Sequence, residues 1–360
     1  MRAAVLHSID AETMEIREDV VAVGPGPGQA RIRIRAAGVC HSDLSARNGG
    51  LPQPMPAILG HEAAGEVVAV GDGVTSLAEG DHVIVNWLPP CGNCASCLRD
   101  QPYMCLAHVI AAYIEPRFMV GDTPAFGMAG CGAFAEEMTV PQEGAVKIPD
   151  DVPFEIAALV GCGVMTGVGA VINTARVEPG ASVAVIGCGG VGIAAIQGAR
   201  LSGASVIAAV DPVEAKHATA RRFGATHAVH PDHVGELSAE LTGGEGFDYA
   251  FEVVGTPQTI RAAWSAARRG GTVVVVGAGR ADQQVQFTPF ELLFDGKKML
   301  ASLYGSADVR RDYARLLGLW RAGRLDLEGM ITQRLELDDL DEGLAALGRG
   351  DVIRQVIIHG

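Results

Sequence analysis

Ser182-Val183-Ala184-Val185-Ile186-Gly187-Cys188-Gly189-Gly190-Val191-Gly192 places the pattern G-x-G-x-x-G directly after an apolar, strand-like run and at the opening of a helical one. Gly187 suits a tight turn, Gly189 lets backbone approach a pyrophosphate, and Gly192 permits close packing of helix on strand. A helix beginning there offers N–H groups and a partial positive charge to phosphates. Alone, such a loop also fits a plain glycine-rich turn. The next apolar run, Ser205 to Asp211, ends in a carboxylate placed to accept hydrogen bonds from ribose hydroxyls and to repel a 2′-phosphate, so NAD is expected over NADP. Asp211 ahead of Pro212 also reads as a helix N-cap, and the two roles coexist.

Working outward, strand-like runs at 182–187, 205–211, 226–230, 248–254 and 272–277 alternate with helical stretches at 190–201, 213–223 and 259–268. The run 298–304 offers a sixth strand. Repeated strand-helix-strand order implies a parallel sheet covered on both faces, an α/β doubly wound domain over about 156–304. Residues 1–155 differ: short alternating segments separated by Gly and Pro predict a β-rich domain. Within it Arg31-Ile32-Arg33-Ile34-Arg35 reads as a half-buried strand. The tail, 305–360, carries two helical segments and a strand-like end at 352–359, and is expected to return to the first domain.

With 48% hydrophobic and 19% charged residues, the chain has the composition of a globular protein. A net charge of −14 argues against nucleic acid as a partner, since phosphate backbones demand clustered Lys and Arg. Apolar runs at 156–172 and 179–199 approach membrane-spanning length but are broken by glycines, so no membrane partner is expected. The opening Met1 to His7 lacks the apolar core and cleavage site of a secretory signal. A reduced, cytoplasmic setting follows as the expectation, in which the eight cysteines are metal ligands before they are disulfides.

Those cysteines fall into groups. Cys91, Cys94, Cys97 and Cys105 lie within one loop, and a tetrahedral Cys₄ zinc would close all four positions, a structural role. A redox Cys-x-x-Cys pair or a partner-binding zinc ribbon are the competing readings. Gly38-Val39-Cys40-His41-Ser42-Asp43 follows the alternating strand, Gly60-His61-Glu62 lies further on, and Gly161-Cys162-Gly163 much later. Cys40, His61 and Cys162 make a Cys₂His set, a catalytic zinc arrangement with one position open to substrate. Cys131 and Cys188 are left as packed bystanders.

Taken together, G-V-C-H-S-D at 38–43, G-H-E at 60–62, the four-cysteine loop, G-C-G-V-M-T-G at 161–167 and G-C-G-G-V-G at 187–192 resemble the zinc-containing medium-chain alcohol dehydrogenase family in order and spacing, over nearly the whole chain. The resemblance implies a Rossmann domain inserted into a GroES-like catalytic domain, two zinc ions, NAD, an alcohol or aldehyde substrate, and a homodimer or homotetramer joined near Leu300 to Tyr304. It implies that Cys40, His61 and Cys162 hold the catalytic zinc with Glu62 able to approach it, that Asp43 supports His61, and that Ser42 shuttles the alcohol proton. Coenzyme contacts implied are His41, Gly187, Gly189, Gly190, Val191, Gly192, Asp211, Lys216, Val254, Val276, Gly277 and Arg354. Lys216 also reads as an ordinary solvated helix lysine. His41 stands where Arg is frequent in the family, and a neutral imidazole holds phosphate more weakly. Many members carry a relay histidine three positions after the shuttle hydroxyl, whereas this chain has Ser45. Trp87 matches a position lining the substrate channel, with plain core packing as its alternative, and a large ring there favours primary or aromatic alcohols. A thiol-dependent formaldehyde dehydrogenase would use the same groups, and a zinc-stabilised NAD-binding redox sensor would bind coenzyme without turnover.

Overall fold

The computed structural model describes residues 1–9 and 11–360 and divides into two compact units. The first comprises Met1–Gly163, Asp308–Gly323 and Leu327–Gly360; the second comprises Val164–Ala307 and Arg324–Asp326. The units therefore part at Gly163 and not at the expected 155/156, because a helical run beginning at Phe154 carries straight past that point. That run, Phe154–Ala175, is long and apolar enough to cross a membrane, but 83% of its most apolar window is buried inside the protein, as in a core helix. The other apolar run, 179–199, is a strand followed by a helix.

The first unit is built on two sheets. One has six strands in the order Glu15–Arg17, Ala3–Leu6, Ala57–Ile58, Thr123–Gly127, Phe118–Val120, Val20–Ala22. The other is centred on the long strand Gln29–Val39, which pairs antiparallel with Glu62–Val70 on one side and with the last strand, Arg354–Ile358, on the other. The alternation in 31–35 has the expected effect: Ile32 and Ile34 are buried in the core with Phe118, Phe134 and Met138, while Arg33 points to solvent. Burying those side chains contributes roughly 2 kcal/mol each, which fixes the register, since a slip of one residue would bury the arginines instead.

His359, just past the last strand, donates its backbone N–H to Arg35 O at 3.0 Å, and its Nε2 is buried with no hydrogen-bond partner. Burial pushes its imidazole down to about 4, against an opposing pull from Glu136. An unfolded chain takes up this proton below about 6.5, and the folded one only near 4. The stability is thus present above the unfolded value and is lost as pH falls through this window. His359→Gln should therefore lose about 2 kcal/mol less than the parent protein between about pH 7 and about pH 4.5. Urea unfolding at the two pH values measures this, and equal losses would remove the claim.

The second unit is a six-stranded, wholly parallel sheet in the order His227–Val229, Val206–Val210, Ser182–Ile186, Phe247–Glu252, Ala267–Val275, Lys298–Ala301. Numbered along the chain, that is 3-2-1-4-5-6, the doubly wound order whose switch point lies between the first and fourth strands. Ile186, Val210, Phe247, Trp264 and Val273 form its core. Helix Gly190–Leu201 spans the predicted residues. The helix expected at 259–268 is Pro257–Ala266 instead, because Thr256 caps it: its Oγ1 accepts the Thr259 N–H at 3.2 Å and Pro257 opens the first turn. The following strand consequently starts at Ala267, ahead of the expected Thr272. The sixth strand is shorter than expected, ending at Ala301.

Candidate functional site

Cys40 sits at the N-cap of the short helix His41–Arg47, where the long strand ends. Asp43, fully buried on the first turn of that helix, accepts the Cys40 N–H at 2.8 Å with one carboxylate oxygen. Its other oxygen accepts the Gly60 N–H at 3.0 Å and lies 3.3 Å from His61 Nδ1. One carboxylate thus ties together the two segments that carry Cys40 and His61, and leaves Nε2 of the imidazole available. Gly60 has φ +87°, and a Cβ there would come within 2.8 Å of Phe134, so only glycine turns the chain this tightly. Glu62 opens the next strand opposite Gly38. Cys162 arrives from a stretch more than a hundred residues away, within the π-helical turn Val160–Val164, a widened geometry that recurs at functional sites.

The ligand atoms of Cys40, His61, Glu62 and Cys162 all lie within 4.8 Å of one another, and all four residues are buried. Hydrogen bonding from Cys162 holds the Cys40 thiol well below its ordinary value, against burial and with help from His61. Burial lowers the His61 imidazole, but the Asp43 carboxylate and the Cys40 sulfur outweigh it and hold the ring at about 10. A thiolate and a buried cation in this cluster are the groups a divalent metal exchanges with, releasing the proton as it binds. Glu62 pairs with the Arg354 guanidinium, while its Oε1 is buried with no hydrogen-bond partner. That orphaned acceptor, two sulfurs and one imidazole fit a zinc ion. Arg354, expected at a pyrophosphate, is 3% exposed and committed to Glu62 in the first unit.

Cys91, Cys94, Cys97 and Cys105 form the second cluster, their sulfurs also within 4.8 Å of one another. The Cys97 backbone N–H and neighbouring donors pull the Cys94 thiol down to about 6. Four sulfurs this close cannot all ionise without a cation between them, and the set fits a closed zinc site. The segment beyond is not loop throughout: the helix Ala107–Ile114 follows, which the sequence pattern did not suggest. Cys131 and Cys188 are buried, and burial pushes each thiol up to about 12, so neither is a ready ligand.

Trp87 packs partly buried against the first unit's core and meets His61 edge-on, ring centroids 6.0 Å apart at 85°. Ser42 is on the same helix as Asp43, half-buried, and His41 beside it is exposed. The sequence had no signal for Tyr313, whose hydroxyl lies 3.3 Å from Val85 O and 3.4 Å from Gly161 O, bracing the peptide before Cys162.

In the second unit the glycine-rich turn has the geometry its spacing predicts. Gly187 has φ +101°, and a Cβ on Gly192 would come within 1.8 Å of Gly187 O, whereas a Cβ on Gly189 would meet nothing within 4 Å. That open space over Gly189, with Gly190, Val191 and Gly192 opening the helix, fits the pyrophosphate of a dinucleotide. Asp211 is buried, accepting the Cys188 N–H at 2.8 Å and the Val213 N–H at 2.9 Å. Lys216 lies 3.8 Å from the same carboxylate with 17% of its side chain exposed, so it is not a solvated helix lysine. Val254, Val276 and Gly277 lie just past the ends of the fourth and fifth strands, and Val254 is 48% exposed.

Comparison with known proteins agrees with this layout. Residues 26–150 match the alcohol dehydrogenase GroES-like domain, and residues 190–320 match the zinc-binding dehydrogenase domain. The chain is 37% identical to alcohol dehydrogenase class-3 of Cereibacter sphaeroides, over 99% of this chain and 100% of that one. It is 35% identical to the S-(hydroxymethyl)glutathione dehydrogenase of Paracoccus denitrificans, over 97% of this chain and 96% of that one. Benzyl alcohol dehydrogenase of Acinetobacter calcoaceticus superposes with a TM-score of 0.92 at 29% identity, covering 100% of this chain and 99% of that chain. A buried Cys₂His cluster with its carboxylate, a four-cysteine lobe, a doubly wound nucleotide unit and full-length similarity leave one assignment: the chain belongs to the zinc-containing medium-chain alcohol dehydrogenase family.

Proposed function

We propose that this alcohol dehydrogenase-type oxidoreductase transfers hydride reversibly between a primary or aromatic alcohol and NAD, using one catalytic and one structural zinc. The observation that carries the reading is the convergence of Cys40, His61 and Cys162, from three distant parts of the chain, with Glu62 beside them. Zinc held there would polarise the alcohol oxygen and lower its pKa. NAD, on the nucleotide unit, is the proposed hydride acceptor.

The chain's own residues do the rest. Cys40 and Cys162 act as thiolates and His61 as a neutral ring whose tautomer Asp43 sets through Nδ1. Glu62 keeps a carboxylate within reach of the same cluster, tethered by Arg354. Ser42 relays the alcohol proton, taking it on its hydroxyl oxygen as its own hydroxyl proton passes on, and Ser45, one turn on along the helix His41–Arg47, neighbours it on the way out. His41 is the proposed pyrophosphate-side group, Arg354 being held by Glu62; Asp211 and Lys216 are those for the adenosine ribose. Cys91, Cys94, Cys97 and Cys105 keep their lobe folded.

Trp87, edge-on to His61, supports slim or flat substrates. Trp87→Ala should raise kcat/KM for a bulky secondary alcohol relative to a primary one by about ten-fold; an unchanged ratio removes Trp87 from the specificity argument. A panel of alcohols and aldehydes followed by NADH absorbance tests the reaction itself, and no turnover with any member would overturn it. A second reading, oxidation of a formaldehyde–thiol adduct, is favoured by the class-3 and S-(hydroxymethyl)glutathione relatives. Formaldehyde oxidation that requires added glutathione would select it.

As partner we propose a second copy, across the free edge strand Lys298–Ala301, which carries exposed Met299 and is preceded by the helix Pro289–Asp295 with exposed Phe290, Leu293 and Phe294. Light scattering that reads a single subunit mass would overturn this. For the setting we propose a reduced, cytoplasmic one, in which six of the eight thiols serve the two candidate metal clusters.

A further inference from the structure

Glu252 is the last residue of the fourth strand of the nucleotide unit, paired in register with Ile186 on one side and Val275 on the other. It is fully buried. Its Oε1 accepts the Val254 N–H at 2.8 Å and the Gly255 N–H at 2.7 Å. Its backbone carbonyl accepts the Val276 N–H at 2.8 Å and the Gly277 N–H at 3.1 Å. Its Oε2 is buried with no hydrogen-bond partner, and among the described residues no Lys, Arg or His forms an ion pair with it.

A fully buried carboxylate with one oxygen unmatched and no counter-ion is costly unless something positive completes it. Its position says what. In a 3-2-1-4-5-6 sheet, the dinucleotide lies across the strand ends at the switch point, one half over each set of three strands. Asp211 directly follows the second strand, Val206–Val210, and so marks the adenosine half. The nicotinamide half then belongs to strands four, five and six, and Glu252 ends the first of these at the switch point itself. The nicotinamide ring is cationic in the oxidised coenzyme and neutral in the reduced one.

We propose that Glu252 is a positioning residue for the coenzyme's redox state: its buried carboxylate at the switch point favours the cationic, oxidised nicotinamide over the reduced one. The inference rests on the NAD reading above. The same side chain shapes the loops that carry Val254 and Gly277, and those loops are packed tightly: a Cβ on Gly277 would come within 2.2 Å of Gly255 N. A purely structural role would weaken both coenzyme forms alike, whereas the charge acts on only one of them.

Equilibrium dissociation constants for NAD⁺ and NADH, from NADH fluorescence and its displacement, separate the two without turnover. Glu252→Gln keeps an oxygen to accept the Val254 and Gly255 N–H groups and removes the charge. It should raise the ratio Kd(NAD⁺)/Kd(NADH) by about ten-fold, and Glu252→Asp, which retains the charge, should leave it within about two-fold. If circular dichroism shows Glu252→Gln unfolded, Glu252→Thr removes the charge with a smaller acceptor, and the same ratio is read. An unchanged ratio in the neutral variant, or an equal shift in Glu252→Asp, overturns the inference while the coenzyme reading stands. Failure of the parent protein to bind either form overturns both.

Discussion

Cys162→Ser is expected to lower kcat/KM by at least about 10⁴-fold and to remove one of two zinc equivalents. The serine oxygen is a poor substitute for a sulfur that hydrogen-bonds with Cys40 and lies with His61 and Glu62 inside 4.8 Å. Because Cys162 sits in a π-helical turn braced through Gly161 O by Tyr313, the backbone should hold its place and the loss should be chemical. Circular dichroism should thus match the parent protein while metal analysis does not. Retention of both zinc equivalents with activity within ten-fold of the parent would falsify the Cys₂His assignment.

Asp211→Gly should raise the NADP-to-NAD ratio of kcat/KM by about 100-fold, since charge-assisted hydrogen bonds are worth roughly 1.5–3 kcal/mol. Two separate effects contribute. The carboxylate that would meet the ribose hydroxyls and repel a 2′-phosphate is gone, and Lys216, 3.8 Å from it, is freed to meet a phosphate. Activity with NAD should also fall more than the lost ribose bonds require, because Asp211 holds the Cys188 N–H of the glycine-rich turn and the Val213 N–H. Kinetics with both coenzymes measure the ratio, and a ratio that does not move would end the claim for NAD.

Much of this was legible in the sequence because the signals are local. The alternation of 31–35, the spacing of Gly187, Gly189 and Gly192, and the four cysteines between 91 and 105 are each read within one strand, turn or loop. Boundaries were less legible. The helix at 257–266 starts early because the Thr256 cap and Pro257 outweigh the apolar pattern, and the first unit runs on to Gly163 because one helical run continues past the composition change.

The chain alone determined the fold class, which thiols and imidazole make up the two clusters, and the place of the glycine-rich turn, since chemistry at short range depends on residue type and spacing. Only tertiary structure decided what those residues are committed to: Asp43 spans Cys40, Gly60 and His61 at once, Arg354 is held by Glu62, and Glu252 is buried with one oxygen unmatched. Such commitments arise from burial, where a charged group removed from water takes whatever partner the folded chain brings to it, and strand pairing between residues hundreds of positions apart leaves no trace in the local pattern.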